Sequence, residues 1–472
     1  MPPSPAARTP LDPLVWKVGA VAALGPFLSN LDSTVVNVSL STLGQELDAP
    51  LGTIQWVTSA YLLALALMLP LTGWLVERVG ARRVYLGCFA VFTLASVLCG
   101  LASSAAALIT ARVFQGMAGG LLAPMAQLMI ARHAGPHLPR VMGIIVLPVL
   151  LGPILGPVLA GFLLQHASWR WLFFINLPVG VLALVLAWRL LPRQEPLRAR
   201  PLDAVGFLLV SPALVFLLDG CEGLVSGRGE RGPRGVELLA SAGLFLAFAL
   251  HSRRQGARGL IDFRLFSRRL FRTAATTQFA SNAMMMGGQF LVPLYLVTAR
   301  GLSPLATGVL LAPMGVGIGV ASALTGRLLE RLGPRALSSA GALLTLLATL
   351  PFCAPSLPLV PVLLGGVLFV RGLGMGCVNI PSMTSAYNSV RPEDLPSATT
   401  AVNIAQRLGG PVGTTGLAML LAHTGAAPGV AAAFTAGFWL LCGFSAACLV
   451  SAWRLPVRLA DVSVTGLEGL SD

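Results

Sequence analysis

The sequence predicts an all-α integral membrane protein of 14 transmembrane helices, built as two six-helix pseudo-repeats with two additional central helices. Three observations predict it: too little charge to clothe a soluble surface, apolar stretches of spanning length joined by arginine-bearing loops, and a loop motif that occurs twice. Of the 472 residues, 55% are hydrophobic and 11% charged, with a mean hydropathy of +0.80. A soluble domain carries about 25% charged residues. The 52 glycines and 34 prolines lie in apolar runs, as in membrane helices that pack closely and bend.

Apolar runs near 20 residues mark the spans. The first six cover 15–40, 54–76, 84–102, 106–131, 141–165 and 170–191. The first carries Asp32, the second ends in a charged Gly-rich loop, the fourth carries Arg112, and the fifth is rich in Gly and Pro. Two central spans, 204–223 and 236–252, carry Asp219 and Glu222 at the end of the first and Glu237 at the start of the second. The last six cover 272–298, 305–329, 336–354, 358–388, 397–422 and 433–453. The N-terminus is Pro- and Ala-rich and the first apolar stretch outruns a signal sequence, so no cleaved leader is expected.

Charge in the loops tests this count. With a cytoplasmic N-terminus, 24 of the 32 Lys and Arg residues fall on the cytoplasmic side, as the positive-inside rule demands. Arg170, Arg228, Arg231, Arg234 and Arg300 fall on the other side, and Arg112, Arg371 and Arg407 lie within spans. Removing one span would scramble this split. The expectation is therefore a multi-pass cell (inner, cytoplasmic) membrane protein with both termini in the cytoplasm.

The motif G-x-x-x-E-R-x-G-x-R follows span 2 as Gly73, Glu77, Arg78, Gly80 and Arg82, with Arg83 beside it. It recurs 253 residues later as Gly326, Glu330, Arg331, Gly333 and Arg335. Arg112 and Arg371, each followed by glycine-rich helix, are 259 apart. The divisions expected are a first six-helix half over 1–192, two extra spans over 193–252, a basic connector over 253–271, a second half over 272–454, and a tail over 455–472. Secondary transporters place their sites between such repeated halves.

A charge near the bilayer centre costs several kcal/mol and marks a functional candidate. Asp32 is the acid of that kind, and the corresponding stretch of the second half, 285–291, contains none. A carboxylate there exchanges a proton as its surroundings alternate between wet and dry, and Arg112 is its natural counter-charge. In span 5, Gly152, Gly156 and Ala160 form a small-residue stripe for close helix approach, and Pro148, Pro153 and Pro157 are expected to bend it. Span 9 places Gln278, Asn282, Met285 and Gln289 on one face, and span 13 places Asn403, Gln406 and Arg407 before a glycine pair. Such amides line either a cavity or a helix contact.

Other chemistries find no support. The net charge of +14 is spread in small groups without a basic stripe, which argues against nucleic acid. No Walker A sequence points to ATP, no His or Cys spacing to a metal, and no nucleophile elbow to an enzyme. A membrane-embedded transferase would gather His, Asp or Glu at one membrane face, which is not found. No cofactor is expected.

With these residues in place, the chain resembles the fourteen-span drug:proton antiporter branch (EmrB/QacA type) of the major facilitator superfamily over nearly its whole length. LDSTVVNVSL, containing Asp32 and Asn37, is similar to that branch's span-1 stretch. GWLVERVGARR resembles the superfamily's loop after helix 2, and LITARVFQGMAGG resembles the span-4 motif, in which Arg112 is the arginine. GPILGPVLAG resembles the antiporter motif through Gly152, Pro153, Gly156, Pro157 and Gly161. WRWLFFINLPVG and RGLSPLATG are also typical of the branch. Glu77 replaces the usual Asp, Pro148 the usual opening Gly, and Ser41 a frequent Pro. The resemblance implies export of amphipathic, often cationic, small molecules in exchange for protons. In that branch the span-1 Asp and span-4 Arg serve proton coupling, and the span-5 motif limits leak. Relatives in double-membrane bacteria work with a periplasmic adaptor and an outer-membrane channel, although no adaptor surface is marked here. The rival within transport is an exporter of one endogenous metabolite, antibiotic or siderophore.

Overall fold

The computed structural model describes residues 13–192, 201–226, 231–256, 259–354, 360–424 and 430–458, and every regular element among them is helical. The expected ends of the chain, the 193–200 stretch with its arginines, and Arg228 and Arg258 lie outside the described residues.

Helix α1 (Pro13–Glu46) is followed by α2 (Leu51–Met68) and α3 (Thr72–Val79), which a 3-10 turn at Leu69–Leu71 joins. Pro70 lies in that turn, where its missing N–H interrupts the α ladder. Next come α4 (Ala81–Gly100), α5 (Ala105–Ala134) and α6 (Leu138–His166). The Ser104 hydroxyl caps α5 by accepting from Ala107 N, which satisfies one of the free N–H groups of the first turn. Helices α7 (Trp171–Phe174) and α8 (Asn176–Leu190) divide at Ile175, so Asn176 opens α8. Despite Pro148, Pro153 and Pro157, α6 runs without interruption.

The central hairpin is α9 (Ala204–Ser226) and α10 (Arg231–Gln255). α9 is wedged against α2 and α14, and Ser211 Oγ donates to Leu67 O at 2.9 Å. α10 packs on α9 and is the least buried of the candidate spans. A 3-10 turn (Phe263–Ser267) leads to α11 (Arg269–Thr298), α12 (Pro304–Thr349), α13 (Pro361–Asn388), α14 (Leu395–Thr424) and α15 (Val430–Ala452). Two separate spans were expected where α12 runs for 46 residues. Its two segments meet at Gly333, whose φ of 78° is non-helical, so the connection is a single hinge residue rather than a loop. Gly80, the matching residue of the first motif, has φ 94°. Only glycine adopts such angles at low cost, which explains why the motif needs Gly at this position in both halves.

Ten helical stretches among the described residues are long and apolar enough to cross a membrane. Their apolar cores are distributed unevenly. At the end bearing the motif loops, one continuous cluster joins Val18, Tyr85, Phe89 and Met129 to Ile380, Met383, Ala398 and Val402 of α13 and α14. At the other end the cores are separate: Leu31, Val35, Val36 and Phe173 in the first half, and Tyr295, Phe352, Phe434 and Phe438 in the second. The halves are thus welded at one end and divided at the other.

Three of the five arginines on the sparse side have structural work. Arg170 Nη1 donates to the carbonyls of Gly100 and Ala102 at 2.8 and 2.7 Å, where the α4 C-terminus attracts cations. Arg234 pairs with Asp219 at 2.8 Å and Glu237 at 3.0 Å, which accounts for acids at the ends of α9 and α10. Arg300 Nε donates to Tyr295 Oη at 2.9 Å. The side chain of Arg231 lies outside the described residues.

Asp203 ties the connector to the hairpin. It accepts from Gly206 N and His251 Nε2, both at 2.8 Å, and from Leu260 N at 3.0 Å. Burial favours the neutral acid, yet these donors prevail and hold the Asp203 carboxyl below its ordinary range. A depressed carboxyl contributes stability above its unfolded pKa of about 4 and loses it as pH falls through the folded value. The detergent-solubilised protein should therefore lose thermal stability below about pH 4. Asp203→Asn should lower the midpoint at neutral pH and flatten that acid limb; an unchanged limb would remove Asp203 as its source.

Candidate functional site

Asp32 lies mid-way along α1 with no solvent exposure. Its position among α2, α4, α5 and α8 brings both carboxylate oxygens to donors. Oδ2 accepts from Arg112 Nη1 at 2.5 Å, and Oδ1 accepts from Gln115 Nε2 at 2.9 Å and Asn176 Nδ2 at 2.7 Å. Ser96 Oγ accepts from the same two amides at 2.8 and 3.3 Å. Arg112, also fully buried, donates through Nη1 to Gln115 Oε1 at 2.7 Å and through Nε to Val57 O at 3.0 Å. Its guanidinium lies 4.1 Å from the centre of the Tyr61 ring, a cation–π distance. Tyr61 Oη is 2.7 Å from Ser29 Oγ. A buried charge is tolerable only when paired and hydrogen-bonded, and this network supplies both.

The sequence singled out Asp32 and Arg112, and the fold brings them into contact. It missed Gln115, Asn176, Ser96 and Tyr61. Two signals were present: Gln115 is one helical turn from Arg112, and Asn176 lies in the WRWLFFINLPVG stretch.

The second half mirrors the arginine without the acid. Arg371 is fully buried on α13 and donates to Thr349 Oγ1, while its Nε and Nη2 have no partner. Gly288, 256 residues after Asp32, lies against this guanidinium, which fills the space a side chain would need.

Around the first loop motif, Gly73 N donates to Thr400 Oγ1 of α14 at 3.2 Å, joining the halves. Glu77 is buried. Arg78 lies 5.8 Å from the Trp74 ring, Arg82 Nη2 donates to Trp188 O at 2.6 Å, and Arg83 is exposed. The small-residue stripe of α6 lies on α1: Thr34 Oγ1 donates to Gly152 O at 3.2 Å. A Cβ at Gly156 would overlap that threonine, whereas one at Gly161 would meet nothing within 4 Å. Pro157 is exposed, and the Pro153 side chain lies outside the described residues.

The two polar faces are only partly open. Gln278 is buried and donates to Asn379 O at 2.8 Å. Asn282 donates to Gln406 O at 2.6 Å, a contact between α11 and α14. Asn403 is buried and donates to Gln127 Oε1 at 2.7 Å, which also accepts from Tyr387 Oη at 3.1 Å. Gln127 of α5 thereby bridges the halves, a role that one glutamine in an apolar helix does not announce. Met285 and Arg407 are half-buried, and Asn37 and Gln289 are exposed. Arg407 lies within electrostatic reach of Tyr61.

Comparison with known proteins gives the family and the fold. The chain is 36% identical over 419 residues to a multidrug resistance protein B homolog of Mycobacterium tuberculosis, covering 88% of this chain and 77% of that protein. It is 32% identical over 401 residues to the putative multidrug resistance protein MdtD of Serratia proteamaculans, covering 81% and 78%. The proton:xylose symporter XylE bound to 6-bromo-6-deoxy-D-glucose has the same fold, with a TM-score of 0.66, 16% identity, and coverage of 96% of this chain and 98% of that one. The human organic anion transporter MFSD10 superposes with a TM-score of 0.63, 17% identity, and coverage of 93% and 100%. The family model of the Major Facilitator Superfamily, whose members are transporters rather than enzymes, matches residues 22–414. The chain is a multi-pass membrane protein that belongs to the major facilitator superfamily.

Proposed function

We propose that this protein is a proton-coupled multidrug exporter that moves amphipathic, often cationic, small molecules by alternating access, as a fourteen-pass antiporter of the EmrB/QacA type. The observation that carries this reading is the Asp32 carboxylate, enclosed in the first half and held by Arg112. Fourteen passes follow when α2 with α3 and α7 with α8 each make one crossing and α12 makes two. Residues 1–192 and 272–454 form the rocking halves, with the pair of spans over 193–252 and the 253–271 connector between them and both termini cytoplasmic.

Uneven welding of the cores supports the alternation. The motif end, latched by Gly73 on Thr400 and by the Gln127–Asn403 contact, is the closed cytoplasmic gate. Asn37 and Gln289 face the divided, open end. Asn282, Met285, Gln406 and Arg407 line the closing cavity, with Gln278 and Asn403 behind it. Protonation of Asp32 from the outer side weakens its hold on Arg112 and releases the pair for the inward swing. Contact of α6 with α1 through Gly152 and Gly156 seals the path against proton leak. Multidrug resistance names among the relatives support a broad substrate range.

Everted membrane vesicles with an imposed inside-acid pH gradient test the reading. A fluorescent amphipathic cation should accumulate, its addition should alkalinise the lumen, and a protonophore should abolish both. Accumulation that ignores the protonophore would exclude antiport.

A further inference from the structure

Away from the Asp32 network, a pocket of about 450 Å³ opens where α10 ends, the 3-10 turn passes and α11 begins. Its lining brings together three guanidinium groups, those of Arg253, Arg264 and Arg272, with the rings of Phe263 and Phe266 and the hydroxyl of Ser267. All three arginines are exposed, and among the described residues none of their guanidinium groups makes an ion pair. The acid of the same segment, Asp262, accepts from Arg264 N at 2.9 Å, capping the 3-10 turn. Helix α11 begins beside the pocket without a side-chain cap or an acid in its first turn, and its free N–H groups favour an anion. Arg268 turns away, donating to Ser389 O at 3.2 Å.

The pocket's place in the fold identifies the source of that anion. Leu239, Leu246 and Leu250 on α10 are 75%, 63% and 52% exposed, so this helix presents an apolar face to lipid. Arg253 follows Leu250 by three residues, which sets the guanidinium cluster at headgroup depth just beyond the hydrocarbon. Basic pockets between spanning helices take anionic headgroups by this geometry, and guanidinium forks match phosphate oxygens in pairs.

We propose that this pocket binds the phosphate of an anionic phospholipid headgroup from the leaflet on the arginine-rich side, anchoring the junction between the central hairpin and the second half. The proposal does not depend on what the protein transports. Native mass spectrometry of the full-length protein, supplied with equal phosphatidylglycerol and phosphatidylcholine, reads it directly. Wild type should retain phosphatidylglycerol preferentially, and Arg264→Gln with Arg272→Gln should lower that preference about fivefold for each arginine removed. Arg264→Lys with Arg272→Lys should keep most of it, because the charge remains, and also reads the site if the glutamine variant fails to fold. Excess inorganic phosphate should leave the retained lipid unchanged. Equal lipid ratios in wild type and the glutamine variant, or loss of preference in the lysine variant as complete as in a folded glutamine variant, would overturn the proposal. So would displacement by inorganic phosphate, which would make the ligand a soluble phosphate.

Discussion

Asp32→Asn should abolish uphill export and lower the thermal midpoint, because Arg112 loses its counter-charge, while leaving the protein folded. Asparagine keeps the shape of the side chain and an oxygen that accepts from Gln115 and Asn176, so the contacts among α1, α4, α5 and α8 survive in outline. The variant has no group at this position that binds and releases a proton. At 100 mV one translocated charge is worth about 2.3 kcal/mol, which sustains roughly a fortyfold gradient of a neutral substrate. Loss of coupling should reduce the accumulation ratio in everted vesicles from that order to unity. Downhill exchange of substrate should persist at a measurable rate, since Asn37 and Gln289, exposed residues of the proposed substrate path, are untouched. A lumenal pH dye should report no alkalinisation when substrate is added. If the variant accumulates substrate as wild type does and still moves protons, Asp32 is not the coupling group.

Much of this site is legible in the sequence, for a simple reason. Charges are so costly in hydrocarbon that the few present stand out, as Asp32, Arg112 and Arg371 do within apolar runs. The repeat was equally visible, because a turn that requires positive φ at Gly80 and Gly333 leaves glycine as its mark in both halves. Neutral partners were not legible. Serine, asparagine and glutamine are common enough in membrane helices that Ser96, Asn176 and Gln115 gain meaning only when α4, α8 and α5 converge on α1. Gln127 is similar: its function as a bridge depends on Asn403 and Tyr387 arriving from the other half. Arg234, one of the five exceptions in the charge count, has a local role, pinned between Asp219 and Glu237. The join between the segments of α12 was expected at this motif; the length of the turn was not legible, because hydropathy marks where lipid begins and ends, while only backbone geometry shows that Gly333 alone makes it.

The mirrored arginines allow a sharper test than either gives alone. Arg112→Met removes one member of a fully buried ion pair and leaves the Asp32 carboxylate enclosed with amide donors only. Breaking such a pair typically costs about 3–5 kcal/mol, so the thermal midpoint in detergent should fall steeply. Adding Asp32→Asn to Arg112→Met should recover a large part of the loss, because no uncompensated charge then remains; coupling energies of contacting residues run to about 0.5–3 kcal/mol. Transport should stay absent in the double variant, separating the stability of the network from its proton chemistry. Arg371→Met should behave oppositely. There the counter-charge position is Gly288, two guanidinium nitrogens are unpartnered, and Thr349 keeps its bond to Thr345 O at 2.6 Å. Replacing an uncompensated buried charge by an apolar side chain of similar length relieves desolvation without stranding a partner. The midpoint should hold or rise. If Arg371→Met destabilises the protein as much as Arg112→Met, the two halves are not asymmetric in charge. The pairing of Asp32 with Arg112 would then lose its claim to be what distinguishes the first half from the second.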